Sequence, residues 1–344
     1  METTLPCITA GLPGTGGAIK ARDEDFVVEE IPLYQPSGSG SHLYASITKQ
    51  GITTKEVLVK LAELLGIRKD DIGYAGIKDK HAVTTQTFSI PLGRVSEDEA
   101  MTAIRQLPVK LNWSKLHANK LKPGHLLGNR FMIRIASLEM PVNEALKNAQ
   151  RISSAILETG LPNYFGPQRF GMEGDNAERG LKILKGELKV RDRWLSRFLV
   201  SSYQSSLCNS YLAKRVESGQ FSRILKGDIA KKYATGGLFM VENTQAEQLR
   251  YDSKEISFTA PMYGSRMMMA RGEAGRLEEQ VLEEAGMTME NLAKSGASGT
   301  RRLGRLLVND MEVRACDGGD AIMTGFSLPK GAFATTVLRE IMKV

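Results

Sequence analysis

The character of the sequence changes at about Asn163, and this change limits the possible folds more than any other feature. Before it, short apolar segments of strand length alternate with two helical patterns. After it, a glycine-rich loop leads into a long helical stretch, residues 194–216. At 344 residues the chain also exceeds the usual size of one domain. We therefore expect two domains, or one domain that carries a large insertion.

The beginning of the chain alternates between strand and helix patterns. Residues 20–31 and 42–47 have the apolar pattern of strands, and a segment rich in Ser, Gly and Pro separates them. Thr53 and Glu56 fit a capping box, which predicts a helix that ends at Gly66.

Two further short strands, residues 72–77 and 85–90, are predicted after this helix. They leave Asp79 on the connection between them, at the end of a strand. Residues 144–157 repeat apolar side chains at helical spacing, and a helix over residues 334–343 closes the chain.

The composition is that of a soluble globular protein, with 42% hydrophobic and 25% charged residues. No continuous apolar segment is long enough for a membrane span, and the N-terminal residues lack the pattern of a secretion signal. We therefore expect a cytoplasmic protein. Cys7, Cys208 and Cys316 lie far apart, and the four histidines show no paired ligand spacing, so we expect no metal site.

Residues 100–138, which we call the basic segment, contain no Asp or Glu but seven Lys and Arg residues, with aromatic side chains between them. The net charge of +7 and the pI near 9.2 also suit a polyanionic partner. A segment with one sign of charge attracts phosphate backbones through counterion release. It predicts either an RNA-binding surface or a solvated surface without a partner.

Residues 74–86 carry the most informative chemistry. They place the carboxylate of Asp79 between Lys78 and Lys80, on a turn that Gly76 introduces. The neighbouring cations favour the ionised carboxylate, which can act as a nucleophile or a general base. A solvated surface turn without a function would show the same residues.

This segment resembles the signature of the TruD family of pseudouridine synthases. The family pattern AGxKDxxAxTxQ is present at residues 75–86. Cys208 departs from the family pattern, since relatives commonly carry a large aromatic residue there, and this difference concerns packing. Other blocks similar to those of the family occur in the family's order over nearly the whole chain: Lys20 with residues 25–30, residues 42–44 with Lys49 and residues 53–54, residues 128–131, 160–171, 202–205 and 328–340.

The resemblance implies an α+β fold of the pseudouridine synthase type, with a mixed, mostly antiparallel sheet, flanking helices and an α/β insertion domain. We expect residues 1–159 and 300–344 to form a discontinuous catalytic domain and residues 160–299 to form an inserted TRUD domain. The implied reaction converts a flipped-out uridine, uridine 13 of tRNA, to pseudouridine. It requires no cofactor or metal. The protein is expected to act on tRNA as a monomer, away from membranes.

The resemblance also implies roles for individual residues. Asp79 either attacks the sugar or removes its 2′ proton, and Lys20 keeps the Asp79 carboxylate ionised. Phe131 stacks on the flipped base, a contact worth roughly 1–3 kcal/mol, and Asn129 hydrogen-bonds the uracil edge. The other expected substrate contacts are Lys78, Gln86, Asn163, Gln168 and Arg169.

Structural alternatives exist for most of these roles. Lys20 is also compatible with a surface lysine that precedes a strand. Phe131 is compatible with an aromatic residue of the core, and Asn129 with a turn residue after Gly128. Residues 163–169 fit a hinge between domains.

Two other functions are compatible with the sequence. A non-catalytic RNA-binding module would keep the basic segment and perform no reaction. A hydrolase acting on nucleosides through an aspartate would release free uracil, whereas an isomerase leaves the mass of the RNA unchanged.

Overall fold

The computed structural model describes residues 5–294 and 296–344, which form two compact units. The eight-stranded unit consists of Gly14–Ser153 and Val308–Gly331, with residue 344. The four-stranded unit consists of Ser154–Leu307, Ala332–Lys343 and the N-terminal segment that ends at Pro13. None of the helices that the described residues form has both the length and the apolar character needed to cross a membrane.

The eight-stranded unit is built on one mixed sheet in the order β13-β14-β6-β1-β4-β2-β5, with β3 beside β4. Strands β1 and β4 pair in parallel, and the other pairs are antiparallel. The last strand of the chain, β14, therefore lies inside the sheet. The strands are β1 (Phe26–Pro32), β2 (His42–Lys49), β3 (Gly73–Tyr74), β4 (Val83–Pro91), β5 (Val109–His117), β6 (Leu126–Ile135), β13 (Glu312–Ala315) and β14 (Ile322–Pro329).

Helices α1 (Thr54–Leu65) and α2 (Glu97–Arg105) cover one region of this sheet. Their buried apolar side chains form one core cluster with those of β2 and β4. The predicted capping box at Thr53 is present, and Gly66 ends α1 in the left-handed conformation at φ 62°. The prediction of this helix is therefore confirmed at both ends.

The four-stranded unit contains an antiparallel sheet in the order β11-β10-β8-β9 and a separate pair, β7 with β12. Helix α3 (Val142–Thr159) contains the boundary between the units. The strands are β7 (Leu161–Pro162), β8 (Ile229–Lys232), β9 (Leu238–Met240), β10 (Ile256–Met262), β11 (Thr300–Leu303) and β12 (Arg305–Leu306); the helices are α4 (Asn176–Leu184), α5 (Arg193–Glu217), α6 (Thr244–Asp252), α7 (Gly272–Glu284), α8 (Met289–Lys294) and α9 (Ala334–Met342).

Two details of the sequence prediction differ from the structure. The strand predicted over residues 72–77 is reduced to Gly73–Tyr74. Strands β5 and β6 were not predicted, although in β6 the basic Arg130 and Arg134 alternate with apolar residues as they do in a half-buried strand.

The boundaries of the compact units also differ from those of the two predicted domains. Residues 300–307 join the four-stranded unit because β11 pairs with β10 and β12 pairs with β7. The two chain ends join it together, since Glu340 in α9 accepts hydrogen bonds from the backbone of Ile8 and Thr9. The division into a catalytic and an inserted domain stays a prediction.

Candidate active site

Asp79 lies on the connection between β3 and β4, as predicted, and its carboxylate faces a lysine from a distant part of the chain. Lys20 Nζ is 3.0 Å from Asp79 Oδ2, with 34% and 62% of the two side chains exposed. Lys20 adopts the left-handed conformation, with φ 60°, two residues after the bridge between Ala18 and Ala136. A left-handed lysine is unfavourable, and such strain concentrates at functional sites.

A buried polar network supports the turn that carries Asp79. The Thr54 hydroxyl accepts a hydrogen bond from the backbone N–H of Lys78 at 3.0 Å and donates one to Gln86 Oε1 at 2.7 Å. Gln86 Nε2 donates in turn to the carbonyl of Gly76 at 3.0 Å. Because Thr54 begins α1 and Gln86 lies in β4, these bonds attach the turn to two regular elements.

The side chains of Lys78 and Gln86 form an ion pair and hydrogen bonds with other residues of the protein, whereas the sequence predicts that they contact the substrate. Lys78 Nζ is 3.0 Å from Glu30 Oε2, and the two side chains are only 5% and 3% exposed. The Gln86 side chain is buried, and both ends of its amide take part in the network around Thr54. These contacts favour a role in positioning the Asp79 turn for both residues.

Lys49 is a further residue at this turn, and the sequence prediction assigned it no role. Its ammonium donates to the carbonyls of Asp79 at 3.0 Å and Ile52 at 2.8 Å, and the residue is 1% exposed. Burial lowers the pKa of Lys49 to about 8, although the Asp79 carboxylate opposes this shift. Strand alternation in β2 puts Lys49 on the side of the buried Leu43 and Ile47, and this was the signal available in the sequence.

Phe131 and Asn129 lie in β6, two residues apart, and so on one face of the strand. Phe131 is 8% exposed, stacks on Phe326 at 5.5 Å between ring centroids, and meets the edge of Phe26 at 6.3 Å. Lys20 Nζ lies 4.3 Å from the centre of the Phe26 ring. Asn129 Oδ1 is buried and has no hydrogen-bond partner within the described residues, which is uncommon for a buried polar atom.

The basic segment is divided among α2, β5, β6 and the loop between the two strands, and part of its charge is neutralised. Arg130 pairs with Asp310 at 3.1 Å and with Glu312 at 2.7 Å. Arg134 pairs with Asp320 at 2.7 Å. The expectation of a one-signed face is therefore wrong for β6, because the acidic partners come from residues far along the sequence.

The predicted loop contacts fall into two classes in the four-stranded unit. The Asn163 side chain is occupied, since its Nδ2 donates to the Leu303 carbonyl at 3.0 Å and its Oδ1 accepts from Arg302 at 2.6 Å. Gln168 is exposed. Arg169 is half-buried, which lowers the pKa of its guanidinium, and it donates to two serine hydroxyls of α5.

Within residues 5–294 and 296–344, no three His, Cys, Asp or Glu side chains come together as a metal site would require. The three cysteines are free thiols. Burial raises the pKa of the Cys208 thiol to about 12, so this thiol is unreactive at neutral pH.

Comparison with known proteins identifies the family of the chain. The family model for tRNA pseudouridine synthase D (TruD) matches residues 3–190 and 188–341. The tRNA pseudouridine synthase D of Anaeromyxobacter sp. (strain Fw109-5) is 43% identical over 99% of this chain and 97% of its own. That of a Thermus thermophilus strain is 44% identical over 98% of this chain and 92% of its own.

The chain belongs to the TruD family. A crystal structure described as a putative tRNA pseudouridine synthase D (TruD) from Methanosarcina mazei matches with a TM-score of 0.81 and 26% identity, over 97% of this chain and 95% of the other. The resemblance seen in the sequence is thus confirmed, and so is the pseudouridine synthase fold. As a TruD-family member the protein is a pseudouridine synthase, an isomerase.

Proposed function

We propose that this TruD-family protein isomerises uridine 13 of tRNA, with Asp79 as the catalytic carboxylate. The observation that carries the proposal is the 3.0 Å contact between Lys20 Nζ and Asp79 Oδ2, on a turn supported by buried hydrogen bonds. The contact places a positive charge beside the carboxylate that the reaction uses. Relatives named tRNA pseudouridine synthase D support tRNA as the substrate.

The reaction is balanced without a cofactor. The C1′–N1 bond breaks, the uracil rotates, and a C1′–C5 bond forms, while C5 loses a proton and N1 gains one. Asp79 either attacks C1′ or removes the 2′ proton, and both routes require its carboxylate to be unprotonated. No water enters the product, so the mass of the RNA does not change.

The uracil would be held by residues of β6. On binding, the Asn129 side chain would turn so that Oδ1, which has no partner among the described residues, accepts the N3–H of the base, and Phe131 would contribute an aromatic surface beside it. Flipping a base out of a helix costs a few kcal/mol, which these contacts and contacts to the RNA backbone must offset. Exposed Gln168 and half-buried Arg169 are proposed for the backbone, and the protein would act as a cytoplasmic monomer.

The test uses unmodified tRNA transcripts that carry tritium at uridine C5. We expect the wild type to release the label at position 13 without shortening the RNA or liberating uracil. Asp79→Asn should bind the transcript and release nothing, whereas Asp70→Asn, which changes another exposed carboxylate of the same unit, should remain active. Release of free uracil would instead indicate a hydrolase. Tight binding by the wild type without release would indicate an RNA-binding module.

A second test separates the ammonium of Lys20 from its backbone conformation. Lys20→Met and Lys20→Gly both remove the contact with Asp79, but Gly also relieves the left-handed strain. Hydrogen bonds to charged groups are worth about 1.5–3 kcal/mol, so we expect kcat to fall by about ten- to hundredfold in both variants. Wild-type kcat in Lys20→Gly would show that the ammonium has no role.

A further inference from the structure

At the beginning of α5, an exposed aromatic side chain stacks on a second aromatic ring. Trp194 is 71% exposed, and it stacks on Phe198 with ring centroids 5.5 Å apart and planes only 6° from parallel. The guanidinium carbon of Arg169 lies 5.1 Å from the centre of the Phe198 ring. The stack orders the Trp194 indole and leaves its other face open to solvent.

The positive charge around Trp194 is not balanced by nearby acids. Asp192 is occupied as the N-cap of α5, where Oδ1 accepts from the backbone of Trp194 at 2.8 Å and of Leu195 at 3.1 Å. Within the described part of the chain, none of the exposed basic residues near Trp194 in the sequence is in an ion pair, and the two acids of residues 185–197 are Glu187 and Asp192. These basic residues are Lys185, Lys189, Arg191, Arg193 and Arg197.

A cavity of about 870 Å³ opens on the adjoining face of α5. Lys185, Ser196 and Arg197 are among its lining residues, together with Ser201. The Ser201 hydroxyl also accepts a hydrogen bond from Arg169, which connects the cavity wall to the aromatic stack. The cavity is large enough for a nucleotide.

We propose that Trp194 and the basic residues around it form a second RNA-binding site, at which the open indole face stacks on a base other than the target uridine. The inference rests on the proposed function, since it concerns the same RNA, but Trp194 and Asp79 belong to different units. Stacking tolerates any base, and unpaired Lys and Arg residues bind the phosphates on either side of it. An acidic protein segment would use the charges but would gain little from the flat indole face.

Fluorescence tests the contact directly, because the chain has two tryptophans, Trp113 and Trp194. We expect an unmodified tRNA transcript to quench the emission of Trp113→Phe, in which Trp194 is the remaining indole. In Trp194→Phe, the quenching that comes from the indole at position 194 should be lost. Poly-glutamate at the same charge concentration should leave the emission of Trp113→Phe unchanged, and equal quenching by poly-glutamate would overturn the assignment to RNA.

Affinity provides the second measurement. Trp194→Ala should raise the Kd for the transcript about five- to hundredfold, the range expected from losing one stacked base. Leu249→Ala removes a side chain of the same unit that is 72% exposed, and it should bind as the wild type does. If the two variants bind alike, the proposal is wrong.

The salt dependence of binding tests the charges. Replacing Arg191 and Arg193 together by Gln should lower the slope of log Kd against log salt by about 1.5, because each lost phosphate contact contributes about 0.7–0.9. Arg276→Gln, an exposed arginine of α7, should leave the slope unchanged. If the transcript quenches Trp194 in Trp113→Phe but the wild type forms no pseudouridine, this second site is supported and the proposed function is contradicted.

Discussion

At the scale of single residues, Lys49 shows how a buried charge can serve a carboxylate that is open to solvent. The Asp79 side chain is 62% exposed, so water competes with every contact to its carboxylate. Its backbone carbonyl is held from the interior by Lys49, which forms no ion pair within the described residues. Burying an ammonium without a carboxylate partner is unfavourable, and this cost causes the lowered pKa of Lys49.

Lys49→Met should reduce kcat and alter the dependence of stability on pH. Because the pKa of Lys49 is lowered from 10.5 to about 8 in the folded protein, the unfolded state binds more protons between these values. The free energy of unfolding of the wild type should therefore rise relative to that of Lys49→Met across this pH range, by on the order of 2 kcal/mol.

Urea denaturation at a series of pH values measures this difference. Lys60→Met, which removes an exposed lysine of α1, provides the control and should follow the wild type at every pH. A constant difference between the wild type and Lys49→Met would contradict the role of burial.

At the scale of elements, α1 contributes to the candidate active site through its first turn. Thr53 caps the helix through a capping box with Glu56, and the next residue, Thr54, supports the Asp79 turn. Two adjacent residues, Thr53 and Thr54, thus begin the helix and position the turn that carries Asp79. The start of α1 and the position of Asp79 depend on one another.

Thr54→Val tests this connection, since valine has nearly the same shape but lacks the hydroxyl. The backbone N–H of Lys78 and the Oε1 of Gln86 would lose their partner, at a cost of about 1–3 kcal/mol for each buried group left unsatisfied. We expect a lower free energy of unfolding and a lower kcat, with little change in the Kd for tRNA. Thr102→Val on the exposed side of α2 is the control. Unchanged kcat in Thr54→Val would show that the turn does not need the network.

At the scale of the whole molecule, each unit has its own interior and its own tryptophan, Trp113 in the eight-stranded unit and Trp194 in the four-stranded unit. The four-stranded unit encloses an ion pair of Arg215 and Asp228, which are 0% and 1% exposed. Burial alone would lower the pKa of the Arg215 guanidinium, but the Asp228 carboxylate outweighs it and the pKa is raised.

Arg215→Met should destabilise the four-stranded unit by about 3–5 kcal/mol, because Asp228 would remain as an uncompensated buried charge. Arg250→Met removes two partly exposed ion pairs of the same unit, with Glu247 and Glu255, and should cost no more than about 1 kcal/mol for each pair. The emission of Trp194 during urea denaturation of Trp113→Phe reports the transition. Similar midpoints for the two variants would contradict the importance of burial.

Local sequence signals were sufficient to predict α1 and the position of Asp79 between two strands. The caps, turns and apolar spacing on which these predictions depend lie within a few residues of each other. The contacts of Lys49, Lys78 and Arg130 could not be predicted, since their partners are brought together only by the folded sheet. The family resemblance identified the fold and the enzyme class. The substrate contacts assigned to Phe131 and Asn129 stay predictions.

The central place of β14 has a consequence for how the protein is made. One edge of β6, the strand that carries Asn129 and Phe131, pairs with β14, which follows β6 only after the segment Ser154–Leu307 of the other unit. During synthesis, Asp79 and Lys20 therefore emerge long before the sheet around them is complete. Until β14 has been made, that edge of β6 stays open to pairing with other chains. The sheet that carries the candidate active site can thus be completed only after the ribosome has synthesised most of the other unit.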